Sequence, residues 1–335
     1  MNIILLAVLL TGLAGLRLRK SGNPLSPEQT GAINGFFVLL VFLRHTVDYV
    51  DLGAGDGFFR LFNQRLEQLL VAPFLFYSGY GVCYSIQKKG QRYVNQLPKN
   101  RFLKVWLHFA LAVLLYHVLS IYLGKNYSPL RIALSYTGWE SIGNSNWYIF
   151  ATLFLYLATW LSFTIFRKSH FLAASALTAL AVGYILLVQQ FRGLWWYDTA
   201  LVYPAGVIYG LYGSKLEKPL RNPLGFLVMV GCFVACYLFR EELIWRELMA
   251  VAFALTIVSG TMIFQVGNPV LKFLGKYTFE IYILQRLPMV LLQGQFSNRY
   301  VYLGVSFAAT ILLAVVFKAI LDLLDKLIFG KGAKK

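Results

Sequence analysis

Apolar runs alternate with short polar segments along the whole chain, and this alternation predicts helices that cross a membrane. A hydrocarbon core about 30 Å thick needs roughly 20 helical residues. Eleven runs read as spans on this basis: residues 1–16, 31–49, 69–86, 101–123, 147–166, 171–188, 197–212, 223–239, 243–264, 279–293 and 300–324. The first is short, has no basic residue ahead of it and has Arg17, Arg19 and Lys20 behind it, the reverse of a cleavable signal, so it is expected to stay attached. A proline-containing linker, SGNPLSPEQT, separates it from the second run.

The polar connections are of two kinds. Alternate ones are basic: Arg17, Arg19 and Lys20; then Lys88, Lys89, Arg92, Lys99 and Arg101; then Arg167 and Lys168; then Lys215, Lys218 and Arg221; then Lys272 and Lys276; then Lys326, Lys331, Lys334 and Lys335. All fall on one side of an eleven-span bundle, and the positive-inside rule makes that side cytoplasmic, with the N-terminus outside and the C-terminus inside. The expected fold is all-α: a single polytopic domain over residues 1–335, with residues 1–20 an additional N-terminal helix and residues 31–324 the core bundle.

Composition agrees. A mean hydropathy of +0.62 excludes an ordinary soluble domain. The net charge of +17 is carried mainly by the clusters between spans, so it argues for a bilayer partner and not for nucleic acid. Cys83, Cys232 and Cys236 lie in apolar runs without His at metal-ligand spacing, and no metal is expected. No phosphate-cradling Gly loop, nucleophile elbow or internal repeat is present.

The second run holds the most pointed chemistry, GAINGFFVLLVFLRHTVDYVD, with Arg44, His45 and Asp48 near one end. Ionisable residues inside a spanning helix are costly and mark function. A helix over residues 31–49 rises roughly 28 Å; Asn34 and His45, eleven residues apart, share one face about 16 Å apart. His45 is the candidate chemical centre, with Asp48 three residues on. A structural reading also exists, in which Arg44 and Asp48 form an i,i+4 pair.

The remaining connections are aromatic and acidic. One spans residues 124–146 with Tyr127, Trp139, Glu140, Asn144 and Asn146; another holds Arg192, Trp195, Trp196, Tyr197 and Asp198; a third holds Arg240, Glu241, Glu242, Trp245 and Arg246. Aromatic faces beside carboxylates and amides suit a carbohydrate, although such residues also form membrane-interface belts. The candidate substrate contacts are Arg44, Trp139, Glu140, Trp195, Trp196, Asp198 and Gln285.

Five stretches in order resemble the acyltransferase-3 family of integral membrane acyltransferases: NGFFVLLVFLRH, FLFYSGYGV, LPKNRFLKVW, NWYIFATLFLY and FLGKYTFEIYILQRLPM. Asn34 stands where that family usually has Arg or Lys, Gln285 where many members have His, and Lys104 in the second place of an Arg-x-x-Arg pair. The resemblance implies a ten-helix core, so residues 1–16 would be an addition. It implies transfer of an acyl group, usually acetyl from cytoplasmic acetyl-CoA, to a sugar hydroxyl of a surface polysaccharide or lipid-linked glycan, in a bacterial inner membrane. Arg101 and Lys104, one turn apart, together with Asn34, are then the candidate donor contacts, and His45 the expected general base on the acceptor hydroxyl or a transient acyl carrier, with Asp48 placed to orient its ring. A transporter or flippase for a lipid-linked sugar is the alternative, and a glycan polymerase a third.

Overall fold

The computed structural model describes residues 1–330; Lys331, Lys334 and Lys335 of the expected C-terminal basic cluster lie outside them. The described chain is helical apart from one antiparallel pairing of two-residue strands, β1 (Arg17–Leu18) with β2 (Phe264–Gln265), in which Arg17 faces Gln265. In chain order the helices are α1 (Asn2–Leu13), α2 (Pro27–Thr46), α3 (Gly57–Leu66), α4 (Ala72–Lys89), α5 (Gln91–Leu97), α6 (Lys104–Tyr122), α7 (Pro129–Ser135) and α8 (Trp147–Ile165). They continue with α9 (His170–Val188), α10 (Val202–Arg221), α11 (Pro223–Leu238), α12 (Leu243–Ile263), α13 (Pro269–Lys276), α14 (Thr278–Leu284), α15 (Arg286–Leu292) and α16 (Arg299–Phe329).

Among the described residues, six helical stretches are long and apolar enough to cross a membrane: Ala54–Lys89, Gln91–Tyr122, Trp147–Ile165, His170–Val188, Leu243–Ile263 and Arg299–Phe329. Each expected run contains helix, yet several runs differ from a plain span. At 12 residues, α1 is only roughly 18 Å long. The run over residues 279–293 is broken at Gln285 into α14 and α15, and the one over residues 197–212 becomes helical only at Val202. The run from Arg101 begins in a π-helical turn, Pro98–Leu103, ahead of α6. The short helices α3, α7 and α13 were not foreseen.

The helix α2 starts four residues sooner than expected, inside the proline-containing linker: the Ser26 hydroxyl accepts from the Gln29 amide and Pro27 occupies the first turn. It stops at Thr46, three residues sooner than expected, and the Asp48 amide donates back to the His45 carbonyl in the closing turn. Asp48 therefore sits off the helix. Small residues let the inner helices approach closely, as suits packing in a bilayer where apolar burial gives little drive. A Cβ on Gly79 would overlap the Tyr203 carbonyl and one on Gly206 the Phe76 carbonyl, so α4 and α10 pack backbone to backbone. Gly35 meets Leu271 in the same way, joining α2 to α13.

The bundle has two chemically distinct ends. At one, Lys272 pairs with Glu28 at 2.8 Å, Lys104 with Asp325 at 2.6 Å, and Lys99 lies over the Phe329 ring, which gathers the basic connections together. At the other lie His45, Asp48 and the aromatic-acidic connections.

Candidate active site

The end of α2 opens into a cavity of about 460 Å³ lined by His45, Arg44, Asp48, Tyr282, Arg286 and Asn144, among others. That volume suits a small organic ligand. No other described side chain hydrogen-bonds the His45 ring, so its nitrogens are left to the cavity. Asp48 does not orient that ring. Its carboxylate accepts from Arg286 Nη2 at 3.0 Å and lies 4.0 Å from Arg44, because the early end of α2 turns it toward α15. Arg286 also donates through Nε to the Tyr49 hydroxyl at 3.0 Å. Gln285, which keeps helical dihedrals between α14 and α15, is buried, bonded to the Tyr282 carbonyl, and lines no part of the cavity.

Across from His45, the segment before α8 supplies amide and hydroxyl groups. Ser141 Oγ donates to the Asn144 carbonyl and Asn144 Oδ1 accepts from the Ile142 amide, which fixes the loop. Asn144 Nδ2 and Ser145 Oγ are buried, face no protein partner and belong to residues that line the cavity. Buried polar groups are normally paired, so orphans at a cavity wall point to a ligand that pairs with them.

Two further cavities adjoin the first through Glu67 and Gln68, one of about 340 Å³ beside Arg44, Arg60, Trp195 and Asp198. Glu67 sits at the junction of all three with a φ of 37°, a conformation side chains rarely adopt and one that recurs at functional sites. Asp198 is 5% exposed, its Oδ1 has no partner, and burial pushes its carboxyl up to about 7, with the Arg246 charge opposing and Glu67 adding to the rise.

The expected aromatic platform divides. Trp139, Glu140 and Trp196 close around Arg192, which donates at 2.7 Å to the Glu140 carboxylate and to the Trp139 carbonyl while its guanidinium lies 4.2 Å from the Trp139 ring and 4.9 Å from that of Trp196. These three side chains clamp two connections together and do not line the cavities. Trp195, half exposed, does.

The expected donor contacts lie elsewhere. Lys104 is committed to Asp325, whose other oxygen takes His108 Nε2 at 2.9 Å. Arg101 turns inward and donates to the Tyr93 hydroxyl at 3.0 Å. Asn34 is on α2 as expected, its Oδ1 buried without a partner and its side chain away from the His45 cavity. Sequence reading missed Arg286, Glu67 and Ser145, and it named Asn144 only as one polar residue of its connection. The polar run GNSN just ahead of α8 was the available signal for Asn144 and Ser145; none marked Glu67, and Arg286 depended on which face of its helix meets the end of α2.

No curated protein and no solved structure matches the chain significantly. A family model described as an acyltransferase domain matches residues 32–319, a stretch that runs from α2 and its His45 through Arg286 into α16. With apolar helices of membrane length and this match over most of its residues, the chain belongs to the acyltransferase-3 family and is an integral membrane acyltransferase.

Proposed function

We propose that the protein moves an acyl group, acetyl in the simplest case, from cytoplasmic acyl-CoA to a hydroxyl of a surface or lipid-linked polysaccharide. The observation that carries this reading is the cavity at the end of α2, where a His ring free of protein partners faces unpartnered amide and hydroxyl groups. His45 accepts the proton of the sugar hydroxyl as its oxygen attacks the thioester carbonyl; the C–S bond then breaks, and the imidazolium returns the proton to the thiolate. Asn144 and Ser145 are suited to donate hydrogen bonds to the oxygen that gains charge in between. Arg286 is a positioning residue that holds Asp48 and Tyr49 beside His45.

Trp195, Asp198, Glu67 and Arg44 supply the mixture of an aromatic face with acceptors and donors that a sugar ring needs. The segregation of basic connections to the far end supports an N-outside, C-inside arrangement with eleven spans, of which α14 and α15 together make one. We assign it to a bacterial inner membrane, the surface across which such a donor and acceptor meet.

Membranes containing the protein are expected to transfer label from [acetyl-14C]acetyl-CoA to a glycan fraction. Label that stays with the donor in the presence of correctly inserted protein would overturn the proposal. A reporter fused after Lys335 tests the sidedness: alkaline phosphatase activity there would reverse it.

A further inference from the structure

A second recess, about 420 Å³, lies between α4, α5, α8 and α9 at the end of the bundle remote from His45. Along α8, Trp147 lines the His45 cavity and Phe163 lines this recess, 16 residues and roughly 24 Å away. Its floor is apolar and buried: Ile86, Val94 and Phe163. Its rim is polar and exposed, with the cations Arg167 and Lys168 beside the His170 ring. No acidic residue occurs in residues 84–101 or 163–170, the segments that build the recess, and no carboxylate elsewhere in the described chain pairs with Arg167 or Lys168. An uncompensated cationic rim over an apolar floor is the complement of an organic phosphate with an apolar or aromatic body.

The recess and the His45 cavity are joined by one helix face. Tyr148, Thr152, Tyr156, Thr159 and Phe163 follow one another at spacings of three and four on α8 and so lie in line. Tyr148 packs edge-on against Tyr282 of the upper cavity at 5.1 Å, Tyr156 Oη meets Ser78 Oγ at 2.9 Å, and Thr159 Oγ1 lies 3.1 Å from Tyr203 Oη. Arg101 and Tyr93 adjoin the lower part of this seam. Hydroxyls thus run through the middle of an otherwise apolar bundle, with those of Thr152, Tyr156 and Thr159 paired to protein neighbours that an entering arm would replace.

We propose that Arg167, Lys168 and His170 hold the phosphate groups of the acyl donor, with its arm running along the α8 face toward His45. This rests on the acyl-CoA reading above, and it replaces Lys104, whose ammonium Asp325 already takes, as the main phosphate contact. The same cations could face anionic lipid headgroups, and the experiment separates the two.

Binding of coenzyme A to the full chain in phosphatidylcholine nanodiscs is measured for wild type, for Arg167→Gln/Lys168→Gln and for Lys215→Gln/Lys218→Gln. The last pair removes equal charge from exposed positions at the same end. We expect the first double variant to raise the Kd, and the KM for acetyl-CoA, about tenfold with kcat little changed, and the control to bind as wild type. Lys168→Gln alone, expected to have a smaller effect in the same direction, serves if the double variant does not insert. Equal weakening in both doubles would mean diffuse surface charge and overturn the proposal. So would unchanged coenzyme A binding accompanied by loss of phosphatidylglycerol-dependent stabilisation, which would assign the recess to lipid. Unchanged kinetics in a wild type that transfers acetyl would overturn the recess alone, whereas no binding and no transfer in wild type would overturn the acyl-CoA reading itself.

Discussion

Replacing Arg286 tests whether the ion pair beside His45 matters for chemistry. Its guanidinium makes two 3.0 Å contacts, to the Asp48 carboxylate and to the Tyr49 hydroxyl, and so fastens the turn after α2 to α15. The Asp48 side chain is 42% exposed, so solvent screening holds that pair to about 0.5–1 kcal/mol. The Tyr49 contact is more sheltered and charge-assisted, worth about 1.5 kcal/mol. Together they give about 2 kcal/mol, which corresponds to about a 30-fold loss of rate if the whole of it serves to hold the site in its reactive arrangement. Arg286→Gln is expected to lose about that much in kcat, and Arg286→Lys somewhat less, since an ammonium keeps the charge but cannot bridge both partners. The assay is acetyl transfer normalised to inserted protein measured by fluorescence-detected size exclusion. Two variants within twofold of wild type, or losses explained wholly by less inserted protein, would refute the reasoning.

Other outcomes follow from the outer end of the site. Because burial raises the Asp198 carboxyl to about 7, its contribution to stability is full below the ordinary carboxylate range near 4 and is lost as pH rises through about 7. Thermal melts of wild type should therefore decline between pH 5 and pH 8 more steeply than those of Asp198→Asn, and parallel curves would contradict this. The two adjacent tryptophans should behave differently: Trp196→Ala, which empties a buried clamp around Arg192, is expected to cost about 3 kcal/mol and reduce inserted protein. Trp195→Ala should insert normally and raise the acceptor KM; an equal loss of stability in both would undo the division drawn between them.

Periodicity and charge were sufficient for the helical bundle, because membrane-length apolar runs and one-sided basic clusters each have a simple physical cause. His45 was legible for the same reason: an imidazole in an apolar run has to be explained. What could not be read was where a run ends and which face of it meets the cavity. Arg286, and not Gln285, lines the cavity, and the early end of α2 hands Asp48 to that arginine instead of to His45. Aromatic composition likewise could not separate Trp195 from Trp196, since exposure there depends on Arg192 reaching back across two connections. Lys104 matched a motif position, yet its partner Asp325 is more than 200 residues away in sequence and is brought near only by packing.

The central claim is that His45 takes the acceptor proton, and His45→Gln tests it most directly, because glutamine keeps hydrogen bonding while lacking a basic ring nitrogen to take up a proton. Transfer of label from acetyl-CoA to glycan is measured in membranes matched for inserted protein. A fall of about a hundredfold or more at wild-type protein levels is the result expected for loss of a general base. Near-normal transfer by the Gln variant would contradict the account and move the proton-accepting role away from His45.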